Sequence, residues 1–397
     1  MNRRAFGQLA GGLGLAAVGA GALVAVGRFG HAIATPAPFA GATPSLLSSV
    51  PSPNPGGPLP PAAPADPHAT ADARTLLNWL RGLRARTTHK LVTGQQIPAD
   101  ATDGYQQYVQ RLATLTGQHP ALIGVGFNDL WNAGIPPVLI EHWRAGGLVT
   151  MEFHATDPWN PAGGVNSAWV PNEKIAKPDL RQLLSDAPAS AARDQWFGQR
   201  NRLANALEQL ASAGVVVILR PFFENNGSWF WWGQDMTTHQ THLVELYQDL
   251  FHFITGARGL HNVLWAHSPC ASWDGPMMQY YPGGDYVDVI APTCYDDELL
   301  WLGDRPGQAD HTDYQDILAA GKPLGYGECG PNTQTNGRWD TRTILDRVRQ
   351  NYPAITYFDC WHGWGNTIIE LVDDQHATEL MNDPLVITRE NIDWHRS

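Results

Sequence analysis

The sequence predicts a single (β/α)8 barrel, and three observations support this fold. From residue 69 onward, short β-branched or aromatic runs alternate with longer amphipathic stretches, which is typical of a parallel sheet with crossover helices. Eight such runs occur along the chain. Polar and aromatic residues follow directly after each run, where the reactive groups of a barrel lie. The pattern favours a closed barrel over an open, doubly wound sheet.

The predicted elements follow one another in a regular order. A first helix over residues 69–86 is indicated by leucines at helical spacing, at 76, 77, 80 and 83. The clearest later helices are Asn201–Ala213 and His239–Thr255. The predicted strands are Lys90–Thr93, Ala121–Phe127, Gly147–Phe153, Val215–Leu219, Val263–His267, Tyr286–Ala291, Pro323–Tyr326 and Ile355–Asp359.

Composition excludes several classes of partner. The net charge of −12 argues against nucleic acids and anionic membranes, because phosphate-binding surfaces need clustered Lys and Arg. The 43% of hydrophobic residues can form a large core. The chain contains 16 Trp, whose broad faces either fill a core or stack on sugar rings. We therefore expect a neutral polysaccharide or oligosaccharide as the partner, and a monomeric protein.

The first 68 residues are predicted to lie outside the folded domain. Residues 1–34 resemble a twin-arginine export signal, with Arg3 and Arg4 before Phe6 and a small-residue cleavage site at Ala32–Ala34. Export to the periplasm or the medium follows from this interpretation. The apolar stretch Leu9–Val26 is long enough to span a bilayer, so an uncleaved membrane anchor is the alternative.

Residues 35–68 are predicted to be an extended linker, because eleven prolines leave few backbone donors for regular structure. Residues 69–397 are then left for the barrel domain, a length that suits one α/β barrel with elaborated loops.

Two glutamates have the surroundings expected of a catalytic pair in a retaining glycosidase. Such enzymes use two carboxyl groups about 5–5.5 Å apart, one as acid/base and one as nucleophile. Glu224 follows an apolar run, and apolar neighbours raise a carboxyl pKa, as a general acid requires. Glu328 lies among small residues, where Arg220 or Tyr295 would keep it ionised. The alternative is that each Glu is a structural carboxylate paired with Arg.

The segment from Arg220 to Gly233 resembles the acid/base motif of glycoside hydrolase family 26, a family of β-mannanases. The resemblance covers roughly residues 88–370. It implies that Glu224 is the acid/base and Glu328 the nucleophile. The resemblance also implies that Tyr295 donates a hydrogen bond to the nucleophile and that Arg220 supports it. Trp361 would form the floor beneath the cleaved sugar, and Trp229 would line the leaving-group side. Trp232 is expected among the substrate contacts.

Two positions depart from the family pattern and affect the expected substrate. Phe223 replaces the His that precedes the acid/base in the family, and the alternatives are a changed substrate, weaker activity or a compensating residue such as His154 or His267. His362 stands after Trp361, where some mannanases use Arg. We expect Phe223, His154 and His362 to line the substrate cleft. These changes leave the expected reaction type as it is, but they argue against mannan as the substrate.

The four cysteines are interpreted as structural. Cys294, Cys329 and Cys360 are each adjacent to a predicted site residue, so strand alternation directs them towards the helices, as small buried hydrophobes. Cys270 is placed less clearly. A disulfide between neighbouring strands remains an alternative. The spacing argues against a metal site, and no metal or other cofactor is expected.

The leading prediction is a retaining endo-acting β-glycan hydrolase, with β-1,4-mannan as the first substrate. Hydrolysis of another neutral β-glycan, such as β-glucan, xylan or an exopolysaccharide, is the alternative that Phe223 motivates. A carbohydrate-binding homologue with weak or no catalysis is the alternative from a different class.

Overall fold

The computed structural model describes residues 57–98, 100–127, 134–170, 176–235, 237, 241–271, 275–295, 301–302, 313–331, 335–363 and 367–396. The predicted export signal and most of the predicted linker lie outside these residues. Within them, no helix is long and apolar enough to cross a membrane.

Eight strand positions form a closed parallel barrel, as predicted. The strands are β1 (Leu91–Val92) and β2 (Gly94–Ile97) at the first position, β3 (Leu122–Phe127), β4 (Leu148–Phe153), β5 (Val217–Pro221), β6 (Val263–His267), β7 (Val289–Ile290) and β8 (Thr293–Tyr295) at the sixth, β9 (Leu324–Gly330), β10 (Ile355–Cys360) and β11 (Val386–Ile387). Pairing of β10 with both β9 and β2 closes the ring, with Cys360 in register with Gln95. The short strand β11 is added beside β1.

Helices surround this barrel and one closes its lower end. The α-helices are α1 (Ala71–Leu83), α2 (Ala101–Gly104), α3 (Arg111–Thr116), α4 (Ile135–Arg144), α5 (Ala191–Ser212), α6 (Leu243–His252), α7 (Asp313–Ala319), α8 (Thr343–Gln350) and α9 (Ala377–Met381). Short 3-10 segments occur at Pro161–Ala168, Leu180–Leu183, Leu371–Asp373 and Trp394–Arg396, and π segments at Tyr105–Gln110 and Phe253–Ala257.

The first helix seals the N-terminal end of the barrel. It begins after Thr70, whose hydroxyl accepts a hydrogen bond from the Ala73 backbone N–H at 3.2 Å, as an N-cap does. Its buried leucines pack against the inward-facing residues at the starts of the strands, such as Leu148 and Val216. A second, larger core lies between the strands and the outer helices. The lower end is therefore solid, and a site can open only at the carboxyl ends of the strands.

The sixth and seventh strand positions extend beyond their predicted ends. β9 continues to Gly330, so Glu328 lies inside a strand and pairs with Thr293 of β8. The predicted strands end where the apolar runs end, but backbone pairing continues through the polar and glycine residues that come next. This extension fixes the backbone on both sides of Glu328 through ladder hydrogen bonds.

The chain packs onto the barrel before residue 69. Asp66 is 1% exposed and lies 2.7 Å from Nδ1 of His261. The Ala65 backbone N–H donates to Asp288 Oδ1 at 2.7 Å, and Leu59 is also buried. The last part of the predicted linker, from about Leu59, is thus part of the folded domain.

The cysteines occupy the positions expected from strand alternation. Cys294, Cys329 and Cys360 are buried in the outer core, between the strands and the helices. Cys270 is buried as well, and none of the four forms a disulfide with another described cysteine. The neighbouring Tyr295 and Glu328 therefore point to the barrel interior.

Candidate active site

Glu328 is held by two donors at the upper end of the barrel. Nη1 of Arg220 donates to its Oε1 at 2.8 Å, and the Tyr295 hydroxyl donates to its Oε2 at 3.2 Å. Arg220 is fully buried at the end of β5, and the carboxyl side chain of Glu328 is only 5% exposed. Both oxygens of this carboxylate are consequently fixed, as expected from the predicted roles of Arg220 and Tyr295.

The Tyr295 hydroxyl stays protonated and can act only as a donor to the carboxylate. Burial is the largest cause that raises the pKa of Tyr295 well above its usual value, and the charges of Glu328, Glu224 and Glu152 raise it further. A hydrogen bond of this kind stabilises the ionised form of Glu328.

The Arg220 guanidinium contacts more than one acid. Its Nη2 lies 3.4 Å from Oε2 of Glu152, which is buried on the neighbouring strand β4. Burial alone would lower the pKa of Arg220, but the charges of Glu328, Glu152 and Asp359 outweigh burial and raise it. The arginine therefore keeps its positive charge beneath the cleft.

Glu224 lies on a tight turn directly after β5. Its φ is +52° and that of Phe222 is +50°, a left-handed conformation that non-glycine residues adopt rarely. The Glu224 backbone N–H donates to the Ser268 carbonyl at 2.6 Å, which ties the turn to the end of the next strand. Nε1 of Trp229 donates to Oε2 of Glu224 at 2.6 Å.

Trp229 can lie flat against the backbone because residue 227 is glycine. A Cβ at this position would stand 2.1 Å from the indole Cη2. Trp229 itself is half-buried, so one part of its ring faces the cleft while its N–H orients Glu224.

Aromatic rings support the turn from below. Phe223 is 4% exposed, and its ring lies 5.6 Å from that of His154 and 4.9 Å from that of Phe230. Trp232 stacks on Phe230 at 4.3 Å and donates to the Phe223 carbonyl. Because Trp232 is 0% exposed, the prediction that it contacts substrate is corrected: it supports Phe223 from within the core.

His154 is a neutral, half-buried ring within this aromatic cluster. Burial lowers the pKa of His154 to about 4, and its Nε2 makes no hydrogen bond to the described residues. This nitrogen is buried, and the ring lies next to that of Phe223. That His154 compensates for the histidine which Phe223 replaces stays a prediction.

Trp361 and His362 border the opposite side of the opening. Both are half-buried, and their ring centroids are 4.8 Å apart. The Trp361 backbone N–H donates to the Cys329 carbonyl at 3.0 Å, beside Glu328. Nε2 of Gln95 donates to the carbonyls of Cys360 and Trp361. Burial lowers the pKa of His362 to about 4, so its ring is neutral at ordinary pH.

Sequence reasoning missed two inward-facing acids, Glu152 and Asp359. Both are buried inside strands near Arg220, whereas candidates had been sought only after the strand ends. Burial, followed by the charge of Glu328, raises the pKa of Glu152. Burial also raises the pKa of Asp359. A carboxyl inside a buried strand is itself unusual and could have indicated both residues.

The arrangement brings two carboxyls with different surroundings to one opening. Glu328 has an arginine partner, whereas Glu224 receives an indole N–H. Tyr295 and Glu152 each experience the charges of both glutamates, so the two acids belong to one electrostatic site. A fixed anion and a second acid in one opening can perform displacement and proton transfer on a neutral substrate.

The chain is similar in sequence to proteins named mannan endo-1,4-beta-mannosidase. A mannan endo-1,4-beta-mannosidase of Bacillus subtilis is 29% identical over 319 residues, 75% of this chain and 82% of that protein. Mannan endo-1,4-beta-mannosidase A and B of Caldalkalibacillus mannanilyticus is 27% identical over 352 residues, and the alignment covers 85% of this chain but 64% of that longer protein.

The fold has close counterparts among solved structures. The Bacillus subtilis mannanase man26 superimposes with a TM-score of 0.71 at 24% identity, over 85% of this chain and 98% of that one. The family model described as Glycosyl hydrolase family 26 matches residues 65–391. With this match across the whole barrel, the chain belongs to glycosyl hydrolase family 26.

Proposed function

We propose that the protein is a retaining, endo-acting β-glycan hydrolase with β-1,4-mannan as its first substrate, Glu328 as nucleophile and Glu224 as acid/base. The observation that carries the proposal is the hydrogen bonding of Glu328. Arg220 and Tyr295 hold both of its oxygens and favour the ionised form, as a nucleophile needs. Glu224 shares the opening and accepts a hydrogen bond from Nε1 of Trp229, which orients its carboxyl.

The first step is the displacement of the leaving sugar. A Glu328 oxygen attacks the anomeric carbon and forms an ester bond as the glycosidic C–O bond breaks. Glu224 gives its proton to the departing oxygen, which leaves as a sugar hydroxyl. Because Trp229 occupies Oε2 of Glu224 with a donor, the acidic proton resides on Oε1.

The second step releases the bound sugar. The ionised Glu224 takes a proton from water, and the water oxygen attacks the anomeric carbon. The ester bond to Glu328 breaks and the carboxylate returns to Arg220 and Tyr295. Two inversions at one carbon give overall retention.

The choice of mannan rests on the relatives, which are named mannan endo-1,4-beta-mannosidases. Phe223 and His362, which depart from the family pattern, are the observations that favour a different neutral β-glycan. A carbohydrate-binding role without catalysis is less well supported, since Glu224, Glu328, Arg220 and Tyr295 are all retained and connected.

The test is hydrolysis of purified polysaccharides by the protein. We expect reducing sugar and a rapid fall in viscosity from β-mannan, with initial products whose anomeric proton signals are those of the β-anomer. Activity only on β-glucan, xylan or an exopolysaccharide would move the proposal to that substrate. An α-anomeric initial product would contradict the retaining mechanism.

Covalent labelling tests the nucleophile directly. An activated 2-deoxy-2-fluoro β-glycoside of the cleaved polysaccharide should add its sugar mass to the peptide that contains Glu328. Glu328→Gln is the matched variant that should not be labelled. Binding of polysaccharide with no hydrolysis and no labelled peptide would favour the binding-only alternative.

We also propose export by the N-terminal segment of residues 1–34. The Arg3-Arg4 pair and the following apolar run support this proposal. Replacement of both arginines by lysine should retain the protein in the cytoplasm, and N-terminal sequencing of exported protein would reveal cleavage or an intact anchor.

A further inference from the structure

Glu152 is a buried acid that the mechanism above does not use. It lies within β4, paired with Arg220 of β5 on one side and with Gly126 of β3 on the other. Its side chain is 3% exposed. Since Leu148 and the Thr150 hydroxyl face the barrel interior from the same strand, alternation also directs Glu152 inward.

The space beside Gly126 fixes where the Glu152 carboxyl can lie. A Cβ at residue 126 would stand 2.8 Å from Oε1 of Glu152. The absence of a side chain there lets Oε1 lie against strand β3, while Oε2 faces Nη2 of Arg220 at 3.4 Å. The carboxyl is therefore held from two sides.

The guanidinium of Arg220 brings this carboxyl beside that of Glu328, because its Nη2 lies 3.4 Å from Oε2 of Glu152 and its Nη1 lies 2.8 Å from Oε1 of Glu328. The two carboxyls are close enough to interact through a hydrogen bond. Two carboxyls make a hydrogen bond only when one of them carries a proton. Glu328 already accepts from Arg220 and Tyr295, which stabilise its ionised form. The proton of the pair consequently belongs on Glu152.

We propose that Glu152 is a positioning residue for the nucleophile: as a neutral acid it donates a hydrogen bond to the Glu328 carboxylate while its carbonyl oxygen faces Arg220. This inference rests on the proposed role of Glu328. With Glu152 neutral, the single charge of Arg220 balances the single charge of Glu328. Glu152 then adds a third donor to the nucleophile without adding a second negative charge beside it.

The charged groups around Glu152 support a neutral form. It faces Glu328 from β9, Arg220 from β5, Glu224 from the turn after β5 and Tyr295 from β8. Burial raises the pKa of Glu152 most, the charge of Glu328 raises it further, and Arg220 opposes both. The proton is therefore kept to higher pH than on an exposed Glu.

Glutamine is the decisive substitution, because its amide reproduces a neutral carboxyl. The carbonyl of Glu152→Gln can face Arg220 and its NH2 can donate to Glu328. Glu152→Met has a similar volume and removes both contacts. Thr150→Val is the matched control one layer below, since it removes a different buried hydrogen bond from the same strand.

The probe is a 2-deoxy-2-fluoro β-mannobioside with a dinitrophenolate leaving group, which requires no proton from Glu224. The rate constant for labelling Glu328 is measured at pH 5 to 10. We expect Glu152→Gln to be labelled within about 3-fold of the wild-type rate, and Glu152→Met about 10- to 100-fold more slowly, as for loss of a hydrogen bond to a charged group. Thr150→Val should be labelled at the wild-type rate.

A pH profile gives a second readout that a purely structural role would not affect. Wild-type labelling should decline at alkaline pH as Glu152 loses its proton, whereas Glu152→Gln cannot lose one and should stay level. This comparison remains decisive if Glu152→Met does not fold.

Equal slowing of Glu152→Gln and Glu152→Met would overturn the proposal, as would wild-type labelling of Glu152→Met or the same alkaline decline in Glu152→Gln. Failure of the proposed function is distinguishable, because then the wild-type protein itself would not be labelled at Glu328 by this or the corresponding glucoside and xyloside.

Discussion

Nε1 of Trp229 donates a 2.6 Å hydrogen bond to Oε2 of Glu224. An indole N–H can only donate, and it donates most strongly to a carboxyl oxygen that carries no proton, so it favours the acidic proton of Glu224 on the other oxygen. The tryptophan thereby favours one oxygen for delivery of the proton, in addition to offering part of its ring to the cleft.

Trp229→Phe should keep the aromatic ring but lose this donor. We expect kcat/KM on polysaccharide to fall about 10- to 100-fold, because a hydrogen bond to a charged group contributes roughly 1.5–3 kcal/mol. Trp143→Phe, at the closed end of the barrel beside Trp394, is the control and should leave kcat/KM unchanged.

Glu224→Ala tests the acid/base role through the leaving group. Loss of kcat should be large on polysaccharide and small on dinitrophenyl glycosides, whose leaving group needs no proton. Added azide should restore turnover and yield a β-glycosyl azide. Equal losses for both kinds of leaving group, with no effect of azide, would rule out this role.

Arg220→Met should leave the acids at the bottom of the cleft without their counter-charge. Breaking a buried ion pair in this way costs about 3–5 kcal/mol of unfolding free energy, measured by urea denaturation. Glu328 would lose the donor that orients its Oε1, so kcat/KM should fall about 10- to 100-fold, as for loss of a hydrogen bond to a charged group.

Arg200→Met is the matched control for the loss of a buried arginine. Arg200 forms a buried 2.8 Å ion pair with Asp249, away from the cleft. This variant should be destabilised too, yet its kcat/KM should match the wild type. An unchanged kcat/KM in Arg220→Met would contradict the pairing with Glu328.

His154→Phe should separate sugar binding from folding. Because Nε2 makes no hydrogen bond to the described residues, the substitution removes a buried polar atom and should not lower the Tm. We expect KM on mannan to rise about 5- to 10-fold, as for the loss of one hydrogen bond. The pKa of His154 is about 4, so its ring is neutral above that pH and the profile from pH 5 to 8 should keep its shape. An unchanged KM would remove His154 from the substrate contacts.

The start of the folded domain can be tested by truncation. A chain that begins at residue 57 keeps Asp66 beside His261 and the Ala65–Asp288 hydrogen bond, whereas a chain that begins at residue 68 loses both. We expect the shorter chain to lose about 1–3 kcal/mol of unfolding free energy, with unchanged kcat and KM. Identical melting of the two chains would show that these contacts contribute nothing.

The strands and the residues after them could be predicted because both follow local patterns. The apolar runs identified the eight strand positions, and the motif from Arg220 to Gly233 identified Glu224. Glu152 and Asp359 could not be found in this way, since their importance depends on which strands become neighbours of Arg220. The buried position of Trp232 likewise depends on stacking with Phe230, which no single stretch of sequence encodes.

The left-handed turn at Phe222 and Glu224 has a consequence for how the acid moves. The backbone of Glu224 is bent and is anchored to the Ser268 carbonyl, and this bend directs the side chain to the opening. In the proposed mechanism, the Glu224 carboxyl therefore occupies nearly the same position when it gives up a proton in the first step and when it recovers one in the second. Little rearrangement of the protein is needed between the two halves, and the conformational cost is borne once, when the chain folds.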